Sequence, residues 1–327
     1  SSDLLCGAMV LGTVCPVLAA DDKKDDTKTE AAAGDSAKGK KIALVGKAAG
    51  NAFFEIAAKS FQETVEAEGG EVQVVYPETA TADAQIKVLD NLISQDFDAI
   101  CISANDVNAL QAKLEEAMDE GIKVSSFDSA PNKDSREIFV NQAGTKEVAQ
   151  ALMDAVLDIS GGEGQFAILS ATSQSANQNA WIDAMKTIME GDDKYSKLEL
   201  VDVVYGDDEP QKSTDQTAAL LEKYPDLKGY YATNQATSEA VLSVLDKYAD
   251  RSVQMIGVDM GDTQKKAIED GKEVGSVCQN PYGMGYATIV AGARASLGLE
   301  SDKKIDSGFQ WIDKNTIGLE EYARYLY

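Results

Sequence analysis

The stretch Val124-Ser125-Ser126-Phe127-Asp128-Ser129-Ala130-Pro131 reads as a short strand that ends on an aspartate and then turns. A helical pattern at Val107–Glu120 precedes it, and another apolar run, Ile138–Val140, follows. The same alternation fills the chain outward from this point, starting at Lys41. Strand patterns fall at Ile42–Val45, Val72–Tyr76, Ala99–Ile102, Val124–Phe127 and Ile138–Val140. A second series falls at Phe166–Leu169, Leu200–Val204, Gly229–Ala232, Gln254–Val258 and Gly275–Cys278. Between them lie helical patterns at Phe54–Glu68, Ala82–Gln95, Val107–Glu120, Lys146–Ile159, Trp181–Met189, Asp215–Tyr224, Ser238–Tyr248 and Gly283–Leu297. In the second of these, Ile86, Leu89 and Ile93 share one face while Gln85, Lys87, Asn91 and Gln95 fall elsewhere. Short strands alternating with helices predict parallel sheets with helices on both faces. Two successive series predict an α/β protein of two similar Rossmann-like lobes.

In open α/β sheets a ligand lies in the crevice beyond the carboxyl ends of the strands. Polar residues gather at those ends, and they are the candidate ligand-binding residues: Lys47, Asn51, Asn105, Asp128, Asn177, Gln178, Asn179, Asn234, Asp259 and Gln279, with Phe53 and Phe54 directly after Asn51. The hydroxyls of a sugar need paired donors and acceptors, which Asp and Asn supply in fixed geometry, while an aromatic ring can cover the ring face. Each residue also has a plainer reading. Asn51 can cap a helix whose phenylalanines are core, Asp128 can form a turn, and Asn234 and Asp259 can cap loops. Trp181 reads as core. Gly161-Gly162-Glu163-Gly164 precedes a strand, so it reads as a loop and not as a phosphate cradle. Tyr205-Gly206-Asp207-Asp208-Glu209 reads as an acidic surface loop without the ligand spacing of a calcium site.

Composition narrows the function. With 44% hydrophobic residues in 327, the chain can bury cores for about two domains. Thirty Lys and Arg against 55 Asp and Glu give a net charge of -25, which argues against a nucleic-acid partner. No histidine is present, so His-based triads and His-ligated zinc are excluded. We expect no catalytic residue, no metal and no cofactor. Cys101 and Cys278 lie in apolar strand-like runs, where free cysteine behaves as a small hydrophobe.

Residues 1–19 read as the remains of an export signal, with a small-residue cleavage pattern at Val17-Leu18-Ala19. Cys15 is the alternative, a lipid-bearing cysteine, although Val14 stands where a small residue is wanted. Residues 20–40 have no bulky apolar side chain and mix both charges, as a solvated tether does.

From Lys41 to the end, the chain resembles the type I periplasmic sugar-binding family, which holds ribose, rhamnose and autoinducer-2 receptors. Ser103-Ala104-Asn105-Asp106, Phe127-Asp128-Ser129 and Asn177-Gln178-Asn179-Ala180-Trp181-Ile182 look like the rhamnose and autoinducer-2 receptors. Asn51-Ala52-Phe53-Phe54, Gly257-Val258-Asp259 and Val277-Cys278-Gln279-Asn280-Pro281-Tyr282 look like ribose receptors. The resemblance implies lobes of residues 41–141 plus 281–306 and 142–280 plus 307–327, joined by a three-strand hinge near Asn141-Gln142, Gln279-Asn280 and Lys304–Gly308. It implies a monomeric extracytoplasmic solute-binding protein that delivers a monosaccharide to an ABC transporter permease. Autoinducer-2 is the alternative ligand. A DNA-binding regulator and a glycosidase using Asp128 and Asp259 are the readings from other classes; the first would need a basic helix-turn-helix where the export-like segment stands.

Overall fold

A computed structural model describes residues 37–285, 287 and 304–326. The export-like segment, nearly all of the tether and most of the Gly283–Leu297 pattern lie outside the described residues. In chain order the elements are β1 (Lys41–Val45), α1 (Ala52–Ala67), β2 (Glu71–Val75), α2 (Ala82–Ile93), β3 (Ala99–Ile102), α3 (Gln111–Asp119), β4 (Lys123–Phe127) and β5 (Ile138–Asn141). There follow α4 (Thr145–Ile159), β6 (Gly164–Ser170), α5 (Ala176–Gly191), β7 (Leu198–Tyr205), α6 (Pro210–Lys223), β8 (Leu227–Ala232), α7 (Gln235–Leu245), β9 (Gln254–Val258), α8 (Asp262–Asp270) and β10 (Glu273–Gln279). Two short strands, β11 (Lys304–Asp306) and β12 (Phe309–Asp313), complete the sheets.

The strands form two six-stranded sheets, ordered β11-β5-β4-β3-β1-β2 and β12-β10-β9-β8-β6-β7. Each place in one order has its counterpart in the other: β1 answers to β6, β4 to β9, β5 to β10. Among the described strand pairs, every one is parallel except β10 with β12. The two similar α/β lobes expected from the sequence are therefore present.

Side chains alternate across a strand, so a sheet covered on both faces needs apolar residues at successive positions. In β1, Leu44 packs with Phe54, Phe61 and Phe127 on one face, and Ala43 and Val45 pack with Leu89, Leu92 and Ile100 on the other. In β6, Phe166 and Ile168 join the α4 and α5 core while Ala167 and Leu169 join Leu220, Leu221 and Val241. Burying one such side chain contributes about 1.5–3 kcal/mol.

The helices start and stop on sequence signals. Thr81 caps α2 by accepting from the Ala84 N–H at 3.3 Å. Asn234 and Thr237 close a reciprocal capping box at the start of α7. α8, which the sequence pattern does not reveal, ends on Gly271 at φ +77°, the left-handed cap that glycine accepts most readily.

The chain passes from the first sheet to the second after β5, and from the second back to the first after β10. Ser307 N–H donates to Asn141 O at 2.8 Å, and the Asn141 amide reaches Asp306 Oδ1 at 2.9 Å. Beyond β10, residues 281–285 are helical and dock on α1, where Ser60 Oγ donates to Tyr282 O at 2.7 Å. Among the described residues no helix is long and apolar enough to cross a membrane.

Candidate ligand-binding cleft

Asp128 follows β4 with φ +57°, the left-handed region that costs most L-residues energy but that aspartate tolerates. Its N–H donates to Val140 O of β5 at 3.1 Å, which fixes the bend. The residue is 4% exposed, and four donors converge on its carboxylate. Oδ1 accepts from Gln142 Nε2 at 2.6 Å and from Asn177 Nδ2 at 2.8 Å. Oδ2 accepts from Ser103 Oγ at 2.7 Å and lies 3.5 Å from Lys47 Nζ. Ser103 follows β3, Lys47 follows β1 and Gln142 follows β5, whereas Asn177 is on α5 of the other lobe. A buried ion pair offsets its desolvation only with such additional hydrogen bonds.

Asp259 repeats the device after β9. Its φ is +71°, its N–H donates to Val277 O at 2.9 Å, and Gln279 Nε2 reaches Oδ1 at 2.6 Å. Ser276 Oγ donates to its carbonyl at 2.7 Å. Burial, with the Asp259 charge, pushes the nearby Tyr231 phenol well up, so it stays a neutral donor.

The remaining candidates fall into two groups. Asn105 belongs with the Lys47 corner: its Nδ2 donates to Lys47 O at 3.1 Å. Gln178 lies at the lobe-two strand ends, where its Oε1 accepts from Ser170 Oγ, Ala171 N–H and Thr233 Oγ1 at 2.9, 3.0 and 2.7 Å. Its carbonyl is thus committed to the protein. Asn234 divides its side chain between two tasks, capping α7 through Oδ1 and donating to Asp208 Oδ1 at 2.9 Å through Nδ2. By contrast, Asn179, on α5, donates to Ser173 O at 2.8 Å in the loop just before its helix. Asn51 caps α1 by accepting from Phe53 N–H at 3.0 Å. Phe53 and Phe54 are 3% and 5% exposed, edge to face with each other and, for Phe54, with Phe127. Both rings thus pack in the core of their lobe.

Three residues of this region escaped the sequence reading. Gln85, assigned by periodicity to the polar side of α2, is fully buried; its Nε2 donates to Gly46 O and Ser103 O, and its Oε1 accepts from Asn105 N–H. Gln142, noted only as a crossing point, is the Asp128 partner. Asp208 corrects the reading of its segment as an acidic surface loop. The residue is partly buried, sits in left-handed backbone at φ +55°, and feels the charges of Lys47 and Asp128 on the other lobe. Burial is the leading cause that pushes its carboxyl up, helped by Asp128 and Asp207 and opposed by Asn234 and Lys47.

The geometry is that of two sets of strand ends facing one space, lined by carboxylates and amides and joined across it by the Asn177–Asp128 bond. Comparison with known proteins bears on the fold. A sequence model of the periplasmic binding protein domain matches residues 42–300. An ABC transporter solute-binding protein from Clostridium phytofermentas, solved with bound L-rhamnose, is 37% identical; the match covers 86% of this chain and 98% of that one, with a TM-score of 0.79. A sugar ABC transporter protein from Actinomyces odontolyticus is 28% identical over 87% of this chain and 98% of that one, with a TM-score of 0.66. The D-ribose/D-allose-binding protein of Pseudomonas aeruginosa is 24% identical over 253 residues, 73% of this chain and 76% of that protein.

Proposed function

This chain belongs to the periplasmic binding protein family, and from that premise we propose that it is the extracytoplasmic solute-binding protein of an ABC importer, closing its two lobes on one monosaccharide. The observation that carries the reading is the bond from Asn177 of one lobe to Asp128 of the other, because it brings both sets of strand ends to a single carboxylate. The named relatives carry L-rhamnose and D-ribose or D-allose, which favours a sugar over autoinducer-2.

In this reading the lobes are residues 41–141 plus 281–306 and 142–280 plus 307–327. The ligand hydroxyls meet Asp128, Lys47 and Asn105 on one side and Asn177, Asn234, Asp259 and Gln279 on the other. Gln178 holds the wall behind them, while Asn51, Phe53 and Phe54 shape the first-lobe side. A ligand that contacts both lobes only when they are together shifts the open and closed populations. The permease reads the closed form of a monomer. Nothing in this cycle requires a bond of the sugar to break, and the donors around Asp128 fix it as an acceptor.

The test is a thermal-shift screen of the purified chain against pentoses, hexoses and deoxyhexoses. A ligand at about 100 times its dissociation constant adds about 2.7 kcal/mol of stability. A clear rise in melting temperature with one sugar and no turnover of its glycosides is the expected result; silence across the panel refutes it.

A further inference from the structure

Three aspartates at this cleft share one unusual backbone. Among the described residues six that are not glycine have positive φ, and Asp128, Asp208 and Asp259 are three of them. Each follows the carboxyl end of a strand: β4, β7 and β9. Left-handed backbone held at a strand end aims a short carboxylate into the crevice, and such strain gathers at functional sites. Asp208 is held there by Asn234 Nδ2 at 2.9 Å. Its carboxylate is close enough to the first lobe to feel Lys47 and Asp128.

Asp128 and Asp208 thus both lie within reach of the Lys47 charge, and Lys47 is already 3.5 Å from Asp128. Sugar hydroxyls can donate to carboxylates, but a carboxylate or phosphate on the sugar would meet like charge with the lysine already engaged. We propose, resting on the sugar-binding reading, that Asp208 is a specificity-determining residue of this cleft, which admits uncharged polyhydroxyl sugars and turns away sugar acids and sugar phosphates. Asp208 differs from the other two in that it stands at the far side of its sheet from the hinge, just beyond the strand β7 that ends the order β12-β10-β9-β8-β6-β7. It can therefore tune which ligand is accepted without loosening a hinge contact.

Calorimetric titration with matched pairs tests this: D-galactose against D-galacturonate, D-ribose against D-ribose 5-phosphate, and L-rhamnose as a further neutral sugar. For the unmodified chain the charged member binds at least about 100-fold more weakly than its neutral partner. Asp208→Asn and Asp208→Gly both accept left-handed backbone, and each narrows that gap by about tenfold or more. Asp207→Asn, on an exposed side chain paired with Lys212, leaves the gap as it was. Lowering the pH gives a second readout on the unmodified chain. Burial, helped by Asp128 and Asp207 against Asn234 and Lys47, makes Asp208 take up a proton above the ordinary aspartate range, so discrimination shrinks earlier than it would for an ordinary aspartate. Neutral binding with an unchanged gap in both Asp208 variants overturns this assignment alone. Silence from every sugar overturns the reading on which it rests, and the assignment with it.

Discussion

At the carboxyl end of β4 in one lobe and of β9 in the other, an aspartate bends the chain at φ +57° and +71°. Each donates its N–H to the adjoining strand, and each carboxylate holds the amide of a glutamine at that strand's end, Gln142 or Gln279, at the same 2.6 Å. Both glutamines stand where the chain leaves one sheet for the other. Asp128 also takes Ser103, Lys47 and, from across the cleft, Asn177. No lysine follows β6 as Lys47 follows β1; Ala171 and Thr172 stand there instead. Lobe one therefore carries a buried charge pair that lobe two does not repeat at the matching strand, and lobe one should depend on its aspartate more.

The largest effect should come from removing that dependence. Asp128→Ala leaves the Lys47 ammonium buried without its carboxylate, and breaking a buried pair on one side costs about 3–5 kcal/mol. Ligand binding should be lost as well. Asp259→Ala removes the charge-assisted Gln279 bond, a contribution of about 1.5–3 kcal/mol. Urea denaturation of the two variants side by side measures the difference; equal losses would mean that the lobes are loaded alike.

Next comes the shared part of the device. Gln142→Ala and Gln279→Ala each delete one hydrogen bond to a carboxylate, and each should lower stability by about 1.5–3 kcal/mol. Gln142 Nε2 also donates to the Asp128 carbonyl at 3.1 Å, whereas at Asp259 that carbonyl takes Ser276, so the Gln142→Ala loss should exceed that of Gln279→Ala by about 0.5–1.5 kcal/mol, the worth of one further hydrogen bond. A loss in one variant alone would show that the symmetry of distances is not a symmetry of energy.

The half of this comparison that lies in the strands was legible in the sequence, since each of the ten strand patterns falls on an observed strand. The bare ends of the pattern were not. β11 has three residues, too few for a period to register, and α8 reads DTQKKAIED, in which Ala267, Ile268 and Gln264 are the buried side chains. Asp128, Asp259 and Gln279 were visible because a polar residue directly after an apolar run is informative in an α/β sheet. Gln85 was hidden because glutamine on a helix counts as polar face, and nothing local reveals that its amide will meet three backbone groups just beyond β1 and β3. Asp208 was hidden by its neighbours, for Asp207 and Glu209 make the run look solvated, and only the placement of Asn234 by another strand turns it inward.

The smallest effects lie at the other end of β5 and β10, where the lobes again share a residue type and treat it differently. Glu137, just before β5, pairs with Lys123 at 2.9 Å in a partly exposed bridge. Glu273, the first residue of β10, is 1% exposed, with both carboxyl oxygens lacking a partner among the described residues. Burial holds its carboxyl well above the ordinary glutamate range. The folded chain therefore keeps a proton there that the unfolded chain releases above about pH 4.3, so stability is full below that pH and falls as pH rises toward the folded value. Glu273→Gln removes the cost of that proton: its melting temperature should match the unmodified chain near pH 4 and exceed it increasingly toward neutral pH. Lys123→Ala, which breaks the exposed counterpart, should cost under about 1 kcal/mol. If melting curves of Glu273→Gln ran parallel to the unmodified chain at every pH, Glu273 would have found a partner, and the two lobes would manage this acid in the same way.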